Sequence, residues 1–136
     1  MTADDQAVRA ANERFYRAFE SLALGEMEGV WAHDDRVACV HPGWPRLMGW
    51  DAVRESWDAI FRNTAEMRFT ITDVTIETRG DLAWVLCTEN ILSQARGSLS
   101  VTSILATNLF ERHRDEWLLV HHHASHVVAA PGAPGP

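Results

Sequence analysis

A chain of 136 residues has the length of one domain, and 46 % hydrophobic against 23 % charged residues is ordinary globular composition, enough to bury one core. Twelve basic against nineteen acidic residues give a formal charge of −7, which excludes the basic face that nucleic acid or an anionic membrane surface would require. A small molecule or another protein remains as partner.

Cys39 and Cys87 lie far apart inside apolar runs, without CxxC spacing and without a secretory leader before them, so buried free thiols in a reducing cytoplasm are expected. No apolar run approaches the ~20 residues that span a bilayer, and a soluble cytoplasmic protein is the reading. Six tryptophans against one tyrosine is unusual. Such large amphipathic side chains commonly wall a pocket or an interface.

From Asp4 to Leu24, apolar residues at Val8, Phe15, Phe19 and Leu22 recur at helical spacing, predicting an amphipathic helix capped by Asp4 or Asp5 and stopped near Gly25. A shorter helix over Glu26 to Ala32 follows, with Met27, Val30 and Trp31 inward. Arg36 to His41 reads as a short strand running into Pro42-Gly-Trp-Pro45, where a turn is forced. Asp51 to Arg62 is the next helix, with Asp51 as cap and Val53, Trp57, Ile60 and Phe61 as the buried stripe.

From Met67 the period falls to two, and the rest of the chain is β. Phe69 and Ile71 alternate, then Val74 and Ile76 continue on the opposite parity, which predicts a bulge near Thr72 or Asp73. Arg79-Gly-Asp81 is a hairpin turn, Leu82 to about Ser93 the next strand, Leu99 to His113 the third, and Arg114-Asp-Glu116 turns the chain into the last strand. The expected organisation is one domain over residues 1–128 and a disordered Pro/Gly/Ala tail over 129–136. Helices followed by antiparallel strands give an α+β order, with about three helices packed on a strongly curved antiparallel sheet in the shape of a cone.

The last strand, Glu116 to His126, carries four of the seven histidines. Alternation places Trp117, Leu119, His121, His123 and Ser125 on one face and Leu118, Val120, His122, Ala124 and His126 on the other. An apolar start and polar finish on the first face suggest a strand that enters the core and then lines a cavity, so His121 and His123 are expected inside.

Three stretches, Ala32-His-Asp-Asp-Arg-Val-Ala-Cys-Val-His-Pro42, Gly49-Trp-Asp-Ala-Val-Arg-Glu-Ser-Trp57 and Trp117-Leu-Leu-Val-His-His-His-Ala-Ser125, resemble the SnoaL-like and ketosteroid-isomerase-like members of the NTF2-like superfamily. The last is also similar to the end of the association domain of calcium/calmodulin-dependent kinases. The resemblance implies the cone fold and leaves function open among isomerases, cyclases, epoxide hydrolases, dehydratases, assembly hubs and transport adaptors. It aligns His41 with the isomerase's catalytic aspartate. It aligns Ala18 with the oxyanion-binding tyrosine, with Tyr16 two residues off and on another face. The arginines of the kinase hub pocket align with Leu86, Asn108 and Ala124, so an acidic ligand held by arginine is not expected.

Glu89 and Asn90 interrupt an apolar strand and must point to opposite faces. An inward Glu89 would need a histidine or water as partner and would hold its proton more tightly. His41, His123 and Glu89 are therefore the candidate catalytic residues, and Trp44, Trp57, Trp84, His121 and Ser125 the candidate ligand-binding ones, with Trp44 at the rim. His41, His121 and His123 have spacing that a zinc site could use, but neither metal nor cofactor is expected. The function expected is binding of a small apolar, aromatic or polyketide-like compound, with acid/base chemistry of isomerase, cyclase or hydrolase type, in a homodimer. The alternative is a non-catalytic dimeric binding or assembly module.

Overall fold

The computed structural model of the chain describes residues 1–128; the predicted tail over 129–136 lies outside the described residues. Helix α1 (Ala3–Ser21) and the single-turn α2 (Leu24–Glu28) lead into β1 (Ala38–Val40), β2 (Leu47–Met48) and α3 (Trp50–Arg62). Four long strands follow: β3 (Glu66–Arg79), β4 (Leu82–Ala95), β5 (Ser98–His113) and β6 (Glu116–His126). They form one curved sheet in the order β2-β1-β6-β5-β4-β3. β1 runs parallel to β6 while every other neighbouring pair is antiparallel, so the sheet is mixed rather than wholly antiparallel.

The helix ends differ from expectation for local reasons. Thr2, not Asp4 or Asp5, caps α1: its hydroxyl accepts from the Asp5 amide at 3.0 Å while Asp5 accepts from the Thr2 amide at 3.1 Å. Leu22, in a left-handed conformation, ends α1 three residues before Gly25. α2 closes at Glu28, short of the predicted Ala32, and Trp31 instead makes an isolated bridge to Leu119. Gly49, at φ 86°, caps α3 without a side-chain bond, and Asp51 sits in the first turn.

The core follows the apolar stripes. Val8, Phe15 and Phe19 of α1 meet Val53, Trp57 and Phe61 of α3 over an inner sheet face made by Val85, Ile104, Phe110 and Leu119. Phe19 and Trp57 stand edge-on at 4.7 Å, the favoured geometry for aromatic pairs. At the narrow end, Arg112 bridges Asp4 of α1 and Asp81 of the β3–β4 turn and lies over Trp117. Thr78 donates to Asp5 at 2.7 Å. These contacts pin α1 to one end of the sheet and leave the other end, where β1 and the β4–β5 hairpin lie, as the mouth.

The predicted bulge is present: β3 and β4 change register between Thr72 and Thr75, with Asp73 at φ 55°. A second bulge was not anticipated. On β6, Leu119 faces Phe110 and His121 faces Leu109, leaving Val120 as an extra residue without a partner.

Candidate active site

The Val120 bulge decides which histidine enters the cone. Trp117 and Leu119 are buried on the inner face as expected, but the added residue reverses parity beyond them. His122 and Ala124 are therefore inside, and His121, His123 and Ser125 point to the outer face, where they line a separate concavity of about 570 Å³ with Leu86 and Leu105. Trp84 shares the outward parity of Leu86, while Ala83, Val85, Cys87 and Glu89 are the buried residues of β4. The expected placement of His121 and His123 is thus reversed, and Trp84 and Ser125 do not reach the cone either.

Glu89 faces inward and is 2 % exposed. It receives a hydrogen bond from the Tyr16 hydroxyl to Oε2 at 2.6 Å. Burial pushes its carboxyl up from 4.5 to about 7, and the Tyr16 bond offsets part of that rise. Tyr16 itself is held well above its usual range by burial and by the neighbouring carboxylate. Asn108 continues the contacts: its Nδ2 donates to Asn12 Oδ1 at 2.9 Å and to the Tyr16 hydroxyl at 3.1 Å. Asn108 Oδ1 lies 2.6 Å from His122 Nδ1. His122 is fully buried, and burial followed by the nearby His41 keeps it neutral, well below its ordinary value.

His41 arrives from the end of β1 and is also buried. Ser56 Oγ donates to the Val53 carbonyl at 2.6 Å, so the 2.9 Å contact between His41 Nε2 and Ser56 Oγ is a bond donated by the imidazole. Burial lowers His41 to about 4. Trp57, fully buried, packs edge-on to His41 at 4.7 Å and serves as a wall behind the imidazole. Trp44 lies edge-on on its other side at 5.0 Å and is 40 % exposed, consistent with a rim position. A tight turn holds it there, with Gly43 at φ 81° and the Trp44 amide bonded to the His41 carbonyl at 2.9 Å.

These groups border a cavity of about 230 Å³ at the mouth, lined by His41, Glu89 and His122 together with Trp44, Phe19 and Ile104. It is smaller than the outer concavity, but it combines a buried carboxyl with two buried imidazoles, and it is the candidate site. No arginine lines it. Cys39 and Cys87 are free and buried; burial pushes Cys87 up to about 11 and Cys39 further, so neither offers a thiolate near neutral pH. Among the described residues no three His, Cys, Asp or Glu side chains converge as metal ligands.

Of the residues expected at the site, His41 and Glu89 share the cavity while His121 and His123 face away from it, and Tyr16, set on another face by the resemblance, bonds to Glu89. Phe15, Tyr16 and Phe19 all point inward, because α1 is covered over a wide arc by β3, β6 and α2. A polar tip on an otherwise apolar helix face was the available signal for Tyr16. Asn12, one turn earlier on the same face, repeats it.

Known proteins place this geometry. Residues 8–130 match the family model of the SnoaL-like domain. A crystal structure from Streptomyces avermitilis, described as a candidate dehydratase of the NTF2-like family, is 41 % identical, with 93 % of this chain and 97 % of that one covered at a TM-score of 0.87. A protein from Thiobacillus denitrificans, described as a candidate association domain of calcium/calmodulin-dependent protein kinase type II, is 35 % identical over 88 % of this chain and 94 % of its own, at 0.79. F-box protein SKIP8 of Arabidopsis thaliana is 29 % identical across 90 % of this chain and 51 % of its own length, so the chain spans about half of that curated relative. Matched along almost all of its described length, the chain belongs to the SnoaL-like domain family of the NTF2-like superfamily.

Proposed function

We propose that the cone binds a small neutral molecule and performs acid/base chemistry on it. One observation carries this reading: a carboxyl raised to about 7 and two imidazoles kept neutral by burial border the same cavity. Environments that push titratable groups in opposite senses assign them opposite roles near pH 7. An imidazole takes a proton from a ligand carbon or hydroxyl, and protonated Glu89 gives its proton to a ligand oxygen. The two transfers leave an imidazolium and a carboxylate, which exchange with water to restore the starting state.

When the oxygen that receives the Glu89 proton departs, the products are water and a carbon–carbon double bond; when it stays, the product is an isomer. The likeness to the Streptomyces protein described as a candidate dehydratase favours the first outcome. The chain contains no lysine, so an imine formed on a lysine amine is not open to it. With no arginine on the cavity wall, a carboxylate or phosphate ligand would find no counter-charge beside Glu89. The test is a panel of neutral hydroxyketones followed by the absorbance of a conjugated product, with Glu89→Gln and His122→Gln as controls. Full turnover retained in the double variant would remove these residues from the chemistry.

A second reading concerns the outer sheet face. Its outward residues from Trp84 to Leu92 on β4, Leu99 to Leu109 on β5 and His121 to Ser125 on β6 include no Asp, Glu, Lys or Arg, in a chain that is 23 % charged. Leu86, Leu92, Leu99, Val101 and Leu105 are each more than 40 % exposed there. Charge depletion with exposed apolar side chains marks an interface, and a second copy of the chain is the proposed occupant. A chain that pairs in this way and ignores every cavity substitution would be an assembly module, the role named for the Thiobacillus relative.

A further inference from the structure

The two imidazoles of the cavity are not equivalent, and Asn108 sets the difference. We infer that Asn108 is a positioning residue that holds His122 as its Nδ1–H tautomer, so that His122 Nε2 is the bare acceptor nitrogen presented to the ligand. This deepens the acid/base reading above and rests on it only for the role of that nitrogen in turnover.

The argument is one of donors and acceptors. Both hydrogens of Asn108 Nδ2 are committed, to Asn12 Oδ1 at 2.9 Å and to the Tyr16 hydroxyl at 3.1 Å. What Asn108 offers His122, at 2.6 Å, is therefore its carbonyl oxygen, which can only accept. His122 Nδ1 must carry the proton, and a neutral imidazole then has none on Nε2. His122 is buried yet lines the cavity, and among the described residues its Nε2 has no hydrogen-bond partner.

Turning the Asn108 amide over would place its oxygen against Asn12 Oδ1 and the Tyr16 hydroxyl. Asn12 would then have to turn as well. Tyr16 would give its proton to Asn108 and withdraw it from Glu89 Oε2, now held at 2.6 Å. An ionised Glu89 would thereby lose its one side-chain donor, so the carboxylate form of Glu89 locks the orientation of Asn108 through Tyr16. Three of the bonds form a directed series running from His122 through Asn108 and Tyr16 to Glu89, and the fourth, from Asn108 to Asn12, branches from it. His41 lacks such a series: it donates from Nε2 to Ser56, and its Nδ1 has only the Cys39 sulfur, at 3.9 Å.

The measurement is the imidazole nitrogen spectrum of uniformly ¹⁵N-labelled protein near pH 7, with the His122 signals identified by their loss in His122→Gln. The expected result is Nδ1 in the protonated range and Nε2 in the unprotonated range; the reverse overturns the inference. Asn108→Leu should give a mixture of tautomers, whereas one unchanged tautomer would show that Asn108 only fills space. If that variant does not fold, Asn108→Asp keeps the acceptor for Nδ1–H and adds a charge. It should raise the titration midpoint of His122 by about one unit or more, and an unmoved midpoint counts against the assignment. These readouts need no substrate, so a cavity without turnover and a His122 of the other tautomer are separate failures.

Discussion

Tyr16 and Glu89, from the first helix and the second long strand, meet through a 2.6 Å hydrogen bond inside the cone. The bond holds a buried carboxyl partly in its ionised form against a burial effect that favours the proton. Tyr16→Phe should therefore raise Glu89 further above 7 and leave one Asn108 hydrogen without an acceptor. The expected loss of stability is about 1–3 kcal/mol. Infrared titration of the carboxyl stretch, compared with Glu89→Gln, reads the shift; a midpoint that stays or falls would contradict it.

Glu89→Gln should be more stable than the parent at pH 8 by on the order of 2–3 kcal/mol, once the difference at pH 4.5 is subtracted. The folded state keeps a proton on Glu89 that the unfolded chain releases between 4.5 and about 7. Stability from this group is whole below about pH 4.5 and is lost as the pH rises through about 7. Glutamine cannot ionise, so the variant keeps it. Urea denaturation of both proteins at the two pH values provides the comparison, and equal differences at both would refute it.

The imidazoles act with the opposite sign. His41 at about 4 and His122 well below its ordinary value stay neutral in the fold, whereas the unfolded chain protonates them near 6.5. Their contribution is present above about pH 6.5 and is lost as the pH falls through about 4. Between about pH 5 and 6, unfolding takes up two protons at these histidines and releases one from Glu89. The parent should therefore lose stability on acidification less steeply than Glu89→Gln, by on the order of 1 kcal/mol per pH unit, the contribution of the one proton that Glu89 releases. A series of denaturation curves across that range measures both slopes, and the same slope for both proteins would break the link between the three groups.

Leu105→Asp should separate the proposed pair. Leu105 is 52 % exposed among the uncharged outward residues of β4, β5 and β6 and does not line the cone cavity. Light scattering on eluting protein should show the parent at twice the chain mass and the variant at one chain mass, with ¹⁵N signals of His122 unchanged. A parent that is monomeric at every concentration would dismiss the interface.

Most of the fold could be read from the chain because its apolar stripes are unambiguous. The Thr72–Thr75 bulge was legible for that reason: Phe69 and Ile71 sit on one parity, Val74 and Ile76 on the other. The Val120 bulge was not, because Leu118, Val120 and His122 compete on equal terms with Leu119, His121 and His123 for the inner face. The residues around it carry no contrast of polarity, and only the pairing with Leu109 and Phe110 settles the matter. β2, two residues long, has no period to detect. The parallel docking of β1 on β6 was invisible for a different reason, since strand direction within a sheet leaves no mark on the alternation of a three-residue strand.

That parallel docking also governs when the site comes into being. Cys39 pairs with His122, so His41 and His122 become neighbours only after residues near 40 have met residues near 122. Closure over so long a separation is slow compared with hairpin formation. During synthesis, Tyr16 and Glu89 emerge well before the strand that completes their surroundings. Until β6 arrives, the whole length of β5, from Ser98 to His113, is an open edge able to recruit other chains. The β5–β6 hairpin conceals that edge, and the later β1–β6 pairing completes the site and covers part of the edge of β6. Substitutions that weaken the β1–β6 pairing should accordingly appear first as low yield and inclusion bodies, before any defect in chemistry can be assayed.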